Sequence, residues 1–259
     1  MALKTIVSRL CLFSLLCSTT LAAPVPEPIS ENDVGFNETV LVKRVGENEN
    51  DPIQATFNIA GWPNIAEENC YAMLCLLGTN RIYQRNPTAN GRGTNYQLSG
   101  AGTVPFQAQN LVDRHTSQIN SNTVSAEEFP WASTQQGGEH AYVFPATRTE
   151  QSSQGASIRN GYRASNVPLE HWFEITFTGA PFGRYCAALF SNPPDTSVCT
   201  SNPAETLFGT TGVTLADFAY QVVRTTTPFY FIHAAGSKKG QKRSEYVKVL
   251  AQEADEKIN

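Results

Sequence analysis

The chain reads as an α+β domain, and three observations predict it. Apolar residues alternate strictly at Phe173, Ile175 and Phe177, helical apolar spacing marks other stretches, and near the middle a hairpin pattern precedes a helix-forming segment. No internal repeat is visible.

From Ile53 to Ala60 the alternation is partial, and Thr56-Phe57-Asn58-Ile59 predicts a short strand. Asn64 to Leu77 predicts a helix, with Glu67 and Glu68 in its first turns, Ile65, Met73, Leu74 and Leu77 as its apolar residues, and Gly78 as its stop. Asn86 to Gln97 carries Pro, Gly, Asn and Thr and predicts an exposed loop, while Gln107 to Thr123 is polar and without an assignable pattern. The segment Phe129–Ala132 should pair, through a turn at Gly137-Gly138, with Ala141-Tyr142-Val143-Phe144, which Pro145 stops. A short helix should start at Gln154-Gly155 and run towards Arg163. Glu170 to Thr178 is the strongest strand, with Glu174, Thr176 and Thr178 facing outward. Leu215 to Arg224 predicts a helix capped by Thr214, its apolar residues being Phe218, Val222 and Val223, and Phe229 to Ile232 a further strand.

The ends differ from the middle. Lys4 and Arg9, the apolar run Leu10 to Leu16 and the small-residue site Thr20-Leu21-Ala22 predict a signal peptide over residues 1–22. That run is too short to span a bilayer and no later segment is long enough, so no membrane association is expected. Residues 23–44 read as a propeptide closed by Lys43-Arg44, with the sequon Asn37-Glu38-Thr39 inside it. The folded domain is then expected over 45–236, and 237–259 is a basic and polar tail in which Lys242-Arg243 is a second dibasic pair. The expected location is secreted and extracellular.

Beyond the leader four cysteines remain, Cys70, Cys75, Cys186 and Cys199, an even count that predicts two disulfides with three pairings open. The net charge is −4, and from Val45 onward fifteen Lys and Arg face nineteen Asp and Glu. That balance argues against a protein that coats nucleic acid. A local basic face remains available at Arg148, Arg159, Arg163 and Arg184.

The polar groups with chemical potential concentrate in Glu127-Glu128-Phe129-Pro130-Trp131-Ala132-Ser133-Thr134-Gln135-Gln136-Gly137-Gly138 and in Thr149-Glu150-Gln151-Ser152-Ser153-Gln154-Gly155. Acids fixed at the ends of short elements hold hard cations or take a proton from water. There is no Gly-x-Ser-x-Gly, no His-Glu-x-x-His and no Gly-rich phosphate loop. His140 falls in the expected hairpin turn, His171 starts a strand, and His115 and His233 have no partner at a recognisable spacing. Trp62, Trp131 and Trp172 raise the alternative of a carbohydrate-binding platform.

These motifs carry a family resemblance. Glu127 to Thr134 resembles the Asp-Glu-aromatic-Pro-aromatic-Ala-Ser-Thr signature of the secreted NucA/NucB deoxyribonucleases, and Gln136-Gly137-Gly138 resembles the Glu/Gln-Gly-Gly that follows it. Phe144-Pro145 and Glu150-Gln151-Ser152-Ser153-Gln154-Gly155 resemble the family's Val-Pro and its later acid/amide-Asn-x-x-Gln-Gly segment. With the upstream Cys-x4-Cys helix, the chain is similar to fungal members. The resemblance implies a ββα metal-finger (His-Me finger-like) nuclease core with added strands and helices. It implies a metal-dependent endonuclease that hydrolyses DNA, with Mg²⁺ or Mn²⁺ as cofactor and no obligate protein partner; nothing in the residues separates DNA from RNA.

By the same resemblance Glu127 takes the place of the first signature Asp, the general base, and Glu128 the place of the second acid, which orients it or binds metal. Glu150 and Gln151 fall at the metal. Gln154 and Gly155 open a helix whose N–H groups bind a phosphate oxygen, beside Arg148 and Arg159. The chain departs from the pattern with Glu for Asp at 127 and Gln for Asn at 151, each one methylene longer. Two family cysteines are replaced by Ala126 and by Val143 or Phe144. The alternative is an effector or toxin that keeps the nuclease fold for binding and has lost catalysis.

Overall fold

The computed structural model describes residues 45–88, 91–107, 118–223 and 230–234. The expected signal peptide, propeptide and basic tail, with His115, lie outside them. Among the described residues the architecture is mixed α+β, with three sheets and several helices.

Strand β1 (Ile53–Asn58) runs parallel to β5 (Trp172–Thr178), and β2 (Ile82–Gln84) pairs antiparallel with the other edge of β5. The alternation of β5 is as the sequence predicts: Phe173, Ile175 and Phe177 are buried and Thr178 is exposed. Phe57 of β1 meets Trp131, Tyr162 and Phe173 edge to face, with ring centroids 4.9, 5.7 and 6.2 Å away.

Helix α1 (Pro63–Tyr71) begins on Pro63, where a missing N–H costs nothing, and continues through a π turn over Ala72–Leu76. The stop is Gly78, at φ +67°. Two disulfides, Cys70–Cys186 and Cys75–Cys199, tie this helix to α4 (Arg184–Leu189) and α5 (Ser197–Ser201), which settles the pairing the sequence left open.

Strands β3 (Ser125–Phe129) and β4 (Tyr142–Ala146) form an antiparallel pair, followed in the chain by α3 (Arg148–Ala164). Strands β8 (Tyr220–Val223) and β9 (Tyr230–His233) extend this sheet in the order β3-β4-β8-β9, and a small hairpin, β6 (Glu205–Leu207) with β7 (Thr210–Val213), stands apart. Ala126 and Val143 lie buried with Tyr220, Val222 and Phe231 in one apolar cluster.

Several expectations fail for identifiable reasons. The stretch expected as a loop holds α2 (Gly91–Leu98), because Asn95 donates to the carbonyls of Ala132 and Thr134 at 3.2 and 2.7 Å and docks the segment. Tertiary anchoring thus overrides the poor helix propensity of Gly, Thr and Asn. In place of the helix expected over Leu215–Arg224, residues 215–223 hold one 3₁₀ turn, Leu215–Asp217, and then β8, since Val222 is buried in a sheet between β4 and β9; Arg224 lies outside the described residues. Pro145 stands inside β4, opposite Ala126 and past the last residue that β8 pairs. Gly137-Gly138 is no tight hairpin turn: residues 130–141 form a longer loop pinned to β2 by Gln135 N–H on the Gln84 carbonyl at 2.9 Å. A Cβ on Gly137 would run into the Trp131 carbonyl.

Trp62 and Trp131 are buried and Trp172 is partly buried, so the tryptophans form no exposed carbohydrate platform.

Candidate active site

Helices α2 and α3, β3 and the loop after it enclose a cleft of about 650 Å³. Glu127 and Glu128 both reach it from consecutive positions on β3. Neighbouring strand residues point to opposite faces, so the two acids find different partners.

Glu127, 2 % exposed, is held from both flanking helices. Asn69 of α1 donates its Nδ2 to Oε1 at 3.1 Å, and Gln154 of α3 donates its Nε2 to the same oxygen. The orientation of Asn69 is itself fixed, because its Oδ1 accepts the Trp131 indole N–H at 2.6 Å. The signature tryptophan therefore positions the signature acid through one amide. Burial raises the Glu127 carboxyl to about 8, against the pull of the two amides and with a further push from Glu128. Glu128 accepts the Ser99 hydroxyl. Burial raises it to about 7, offset by Ser99 and by the charge of Arg92.

Glu150 lies apart from the cleft floor. Its carboxylate accepts the N–H groups of Asn64 and Ile65 at 3.0 and 3.1 Å and the Asn64 side-chain amide, so it closes the N-terminus of α1. Gln151 lines the cleft, and its amide group bridges the Ser125 hydroxyl and the Ala126 carbonyl, tying α3 to β3. The atoms expected to hold metal are thus engaged within the chain.

Gln154 and Gly155 do not open a helix. Helix α3 starts at Arg148 behind the N-cap Thr147, whose hydroxyl accepts the Glu150 N–H at 3.3 Å. The N–H groups of Gln154 and Gly155 lie in the second helical turn, where the intrahelical ladder engages them and no phosphate oxygen can. Both residues still line the cleft, Gln154 by holding Glu127 and Gly155 by leaving its wall open beneath the Arg92 guanidinium.

Arg159 lines the cleft and is exposed, whereas Arg148 is exposed outside it. Arg163 and Arg184 also lie outside, the first bonded to Asn160 and the second 3.5 Å from Glu205. His140 is exposed beyond the cleft, and His171 bonds the Leu169 carbonyl. Two further cleft arginines carried no sequence signal. Arg85 lies over the Tyr162 ring at 4.7 Å and donates to the Val167 carbonyl, and Arg92 projects from α2. Tyr96, one turn beyond Arg92, is 38 % exposed at the same cleft.

Glu68 is the other residue that sequence reading leaves out. It is wholly buried, neither carboxylate oxygen has a hydrogen-bond partner, and burial together with the charges of Glu127 and Glu150 holds its carboxyl well above the usual range. Its neighbour Glu67 accepts the Tyr185 and Cys186 N–H groups at 2.8 and 3.2 Å, and so caps α4. Among the described residues no group of three or more His, Cys, Asp or Glu side chains is arranged to hold a metal ion. No helix among them is long and apolar enough to cross a membrane.

No curated protein matches the chain. Residues 69–176, however, match the family model for Deoxyribonuclease NucA/NucB, a span that runs from Asn69 to Thr176 and contains β3, β4, α2, α3 and every cleft residue named above. That segment, which builds the cleft and positions its central acid, is the part of the chain that is similar to the NucA/NucB deoxyribonucleases.

Proposed function

We propose that the protein is a secreted, metal-dependent endonuclease that hydrolyses DNA phosphodiester bonds, with β3, β4 and α3 as its ββα core. The observation that carries this reading is the fixed carboxylate of Glu127 in a cleft walled by Arg85, Arg92 and Arg159. Once ionised, as pH rises through about 8, this carboxylate held by two amides takes a proton from water in a defined direction, and arginines bind the phosphate oxygens on either side.

In the reaction a water oxygen forms a bond to phosphorus, Glu127 accepts the proton, the phosphorus–oxygen bond to the departing strand end breaks, and the departing oxygen takes a proton from solvent to leave as a hydroxyl. Glu128 stands beside the base, with its own charge partly compensated by Arg92. Asn69 and Gln154 act as positioning residues for Glu127. The two amides also bear on the departure at position 127, since they bond the longer Glu side chain in place.

The donor chemistry suits a hard divalent cation. The acids are carboxylates, and Glu68 brings two buried oxygens without a partner next to Glu127. When bound, Mg²⁺ or Mn²⁺ would neutralise charge on the phosphate and on the departing oxygen. Glu68 is the residue that would hold it, beside Glu127, with Glu150 and Gln151 serving to brace α1 and β3. Export is supported by the signal-like start, the dibasic Lys43-Arg44 and the two disulfides.

One observation favours the rival reading of a binding protein that has lost catalysis: the acid at 127 is 2 % exposed and its carboxyl is raised to about 8. Processed protein incubated with supercoiled plasmid and Mg²⁺ or Mn²⁺, with and without chelator, separates the two. Chelator-sensitive nicking supports the nuclease. Intact plasmid at high protein concentration leaves the binding reading.

A further inference from the structure

Glu68 lies one residue before the segment that matches the family model. On α1 it sits one turn after Asn64 and next to Asn69. Asn64 binds the Glu150 carboxylate and Asn69 binds the Glu127 carboxylate, and Glu68, on the same stretch of α1, lies within reach of the charges of both acids. Three features there are independent of one another. The side chain is wholly buried, both of its oxygens lack a hydrogen-bond partner, and the charges that act on it are both negative.

A buried carboxylate is normally paired, hydrogen-bonded or bound to a metal. Glu67, its neighbour, shows the ordinary solution by capping α4. Glu68 caps nothing. An acid facing two further acids, with free oxygens, suits a small hard cation. Mg²⁺ is commonly held by only one or two carboxylates, with waters and substrate phosphate oxygens completing its shell. A group of three protein acids is therefore not required, consistent with its absence among the described residues.

We propose that Glu68 is a ligand of the site's divalent cation, beside the base Glu127. The inference rests on the nuclease reading above and extends the metal site beyond the family signature.

The test uses Mn²⁺ as the probe and no DNA. Calorimetric titration of the processed wild-type protein and of Glu68→Gln should show Mn²⁺ affinity falling at least tenfold in the variant. Mn²⁺ should raise the melting temperature of the wild type but not that of Glu68→Gln, because only a ligand that binds the folded state stabilises it. In chelator the Gln variant should melt at or above the wild type, since it removes an unpaired buried acid. Should the Gln variant fail to fold, Glu68→Asp keeps the charge on a shorter arm and should bind Mn²⁺ measurably more weakly than wild type.

Unchanged Mn²⁺ affinity in a folded Gln or Asp variant overturns the inference, and so does a wild type that binds no Mn²⁺. In either case chelator-sensitive plasmid nicking by the wild type leaves the nuclease reading standing. A wild type that neither binds Mn²⁺ nor nicks removes both.

Discussion

Replacing Glu127 by Gln should change how stability responds to pH, by an amount that follows from the structure. The carboxyl ionises near 4.5 when unperturbed, and in the folded protein burial raises it to about 8. Below 4.5 the acid is neutral in both states and costs the fold nothing. Between 4.5 and about 8 the unfolded chain gives up the proton while the folded chain keeps it, so stability falls as pH rises; above about 8 the loss is complete. At about 1.4 kcal/mol per pH unit the full loss is about 5 kcal/mol, an upper value because Glu128 titrates with its neighbour. Little solvent screening reduces it, since the side chain is 2 % exposed. Gln carries no such titration. Paired guanidinium unfolding curves of wild type and Glu127→Gln, under non-reducing conditions with chelator, would be recorded at about pH 4 and about pH 8.5. The Gln variant should gain several kcal/mol on the wild type between those values. A stability gap constant to within about 0.5 kcal/mol would refute the buried placement of this acid.

Two further outcomes follow from packing and charge. A Cβ on Gly161 would run into the Phe57 ring and lie 3.0 Å from the Thr56 carbonyl, so Gly161→Ala should destabilise the protein by about 1–3 kcal/mol in the same unfolding assay. Arg92→Ala and Arg159→Ala should each weaken DNA binding across unrelated sequences and lower the salt dependence of log K by about one, in fluorescence titrations at several salt concentrations.

Much of the framework was legible in the residues. Phe173, Ile175 and Phe177 announce β5 because period-two burial leaves a direct trace, and Gly78 marks the end of the helix that starts at Pro63. Glu127 stands out because an uncommon motif surrounds it. Elsewhere the deciding interactions are distant in sequence. Asn95 makes α2 a helix by bonding carbonyls near residue 133, and no local pattern foretells that. The helix expected from Gln154 starts earlier, at Arg148, because Thr147 caps it through the Glu150 N–H. Glu150 looks like a metal ligand by motif and acts as a cap because α1 docks beside it. Arg85 and Arg92 reach the cleft, and Glu68 comes near Glu127, only through tertiary packing. Residues on three separate elements converge there, and spacing along the chain cannot show it.

The central claim is that Glu127 performs the proton transfer in DNA cleavage. Its most direct test is the nicking rate of supercoiled plasmid by Glu127→Gln beside wild type, in Mg²⁺ or Mn²⁺, with circular dichroism and DNA binding measured on both proteins. The account predicts a rate about 10²- to 10⁴-fold lower for the variant, with fold and DNA binding retained. A folded Glu127→Gln that nicks as fast as wild type would contradict it.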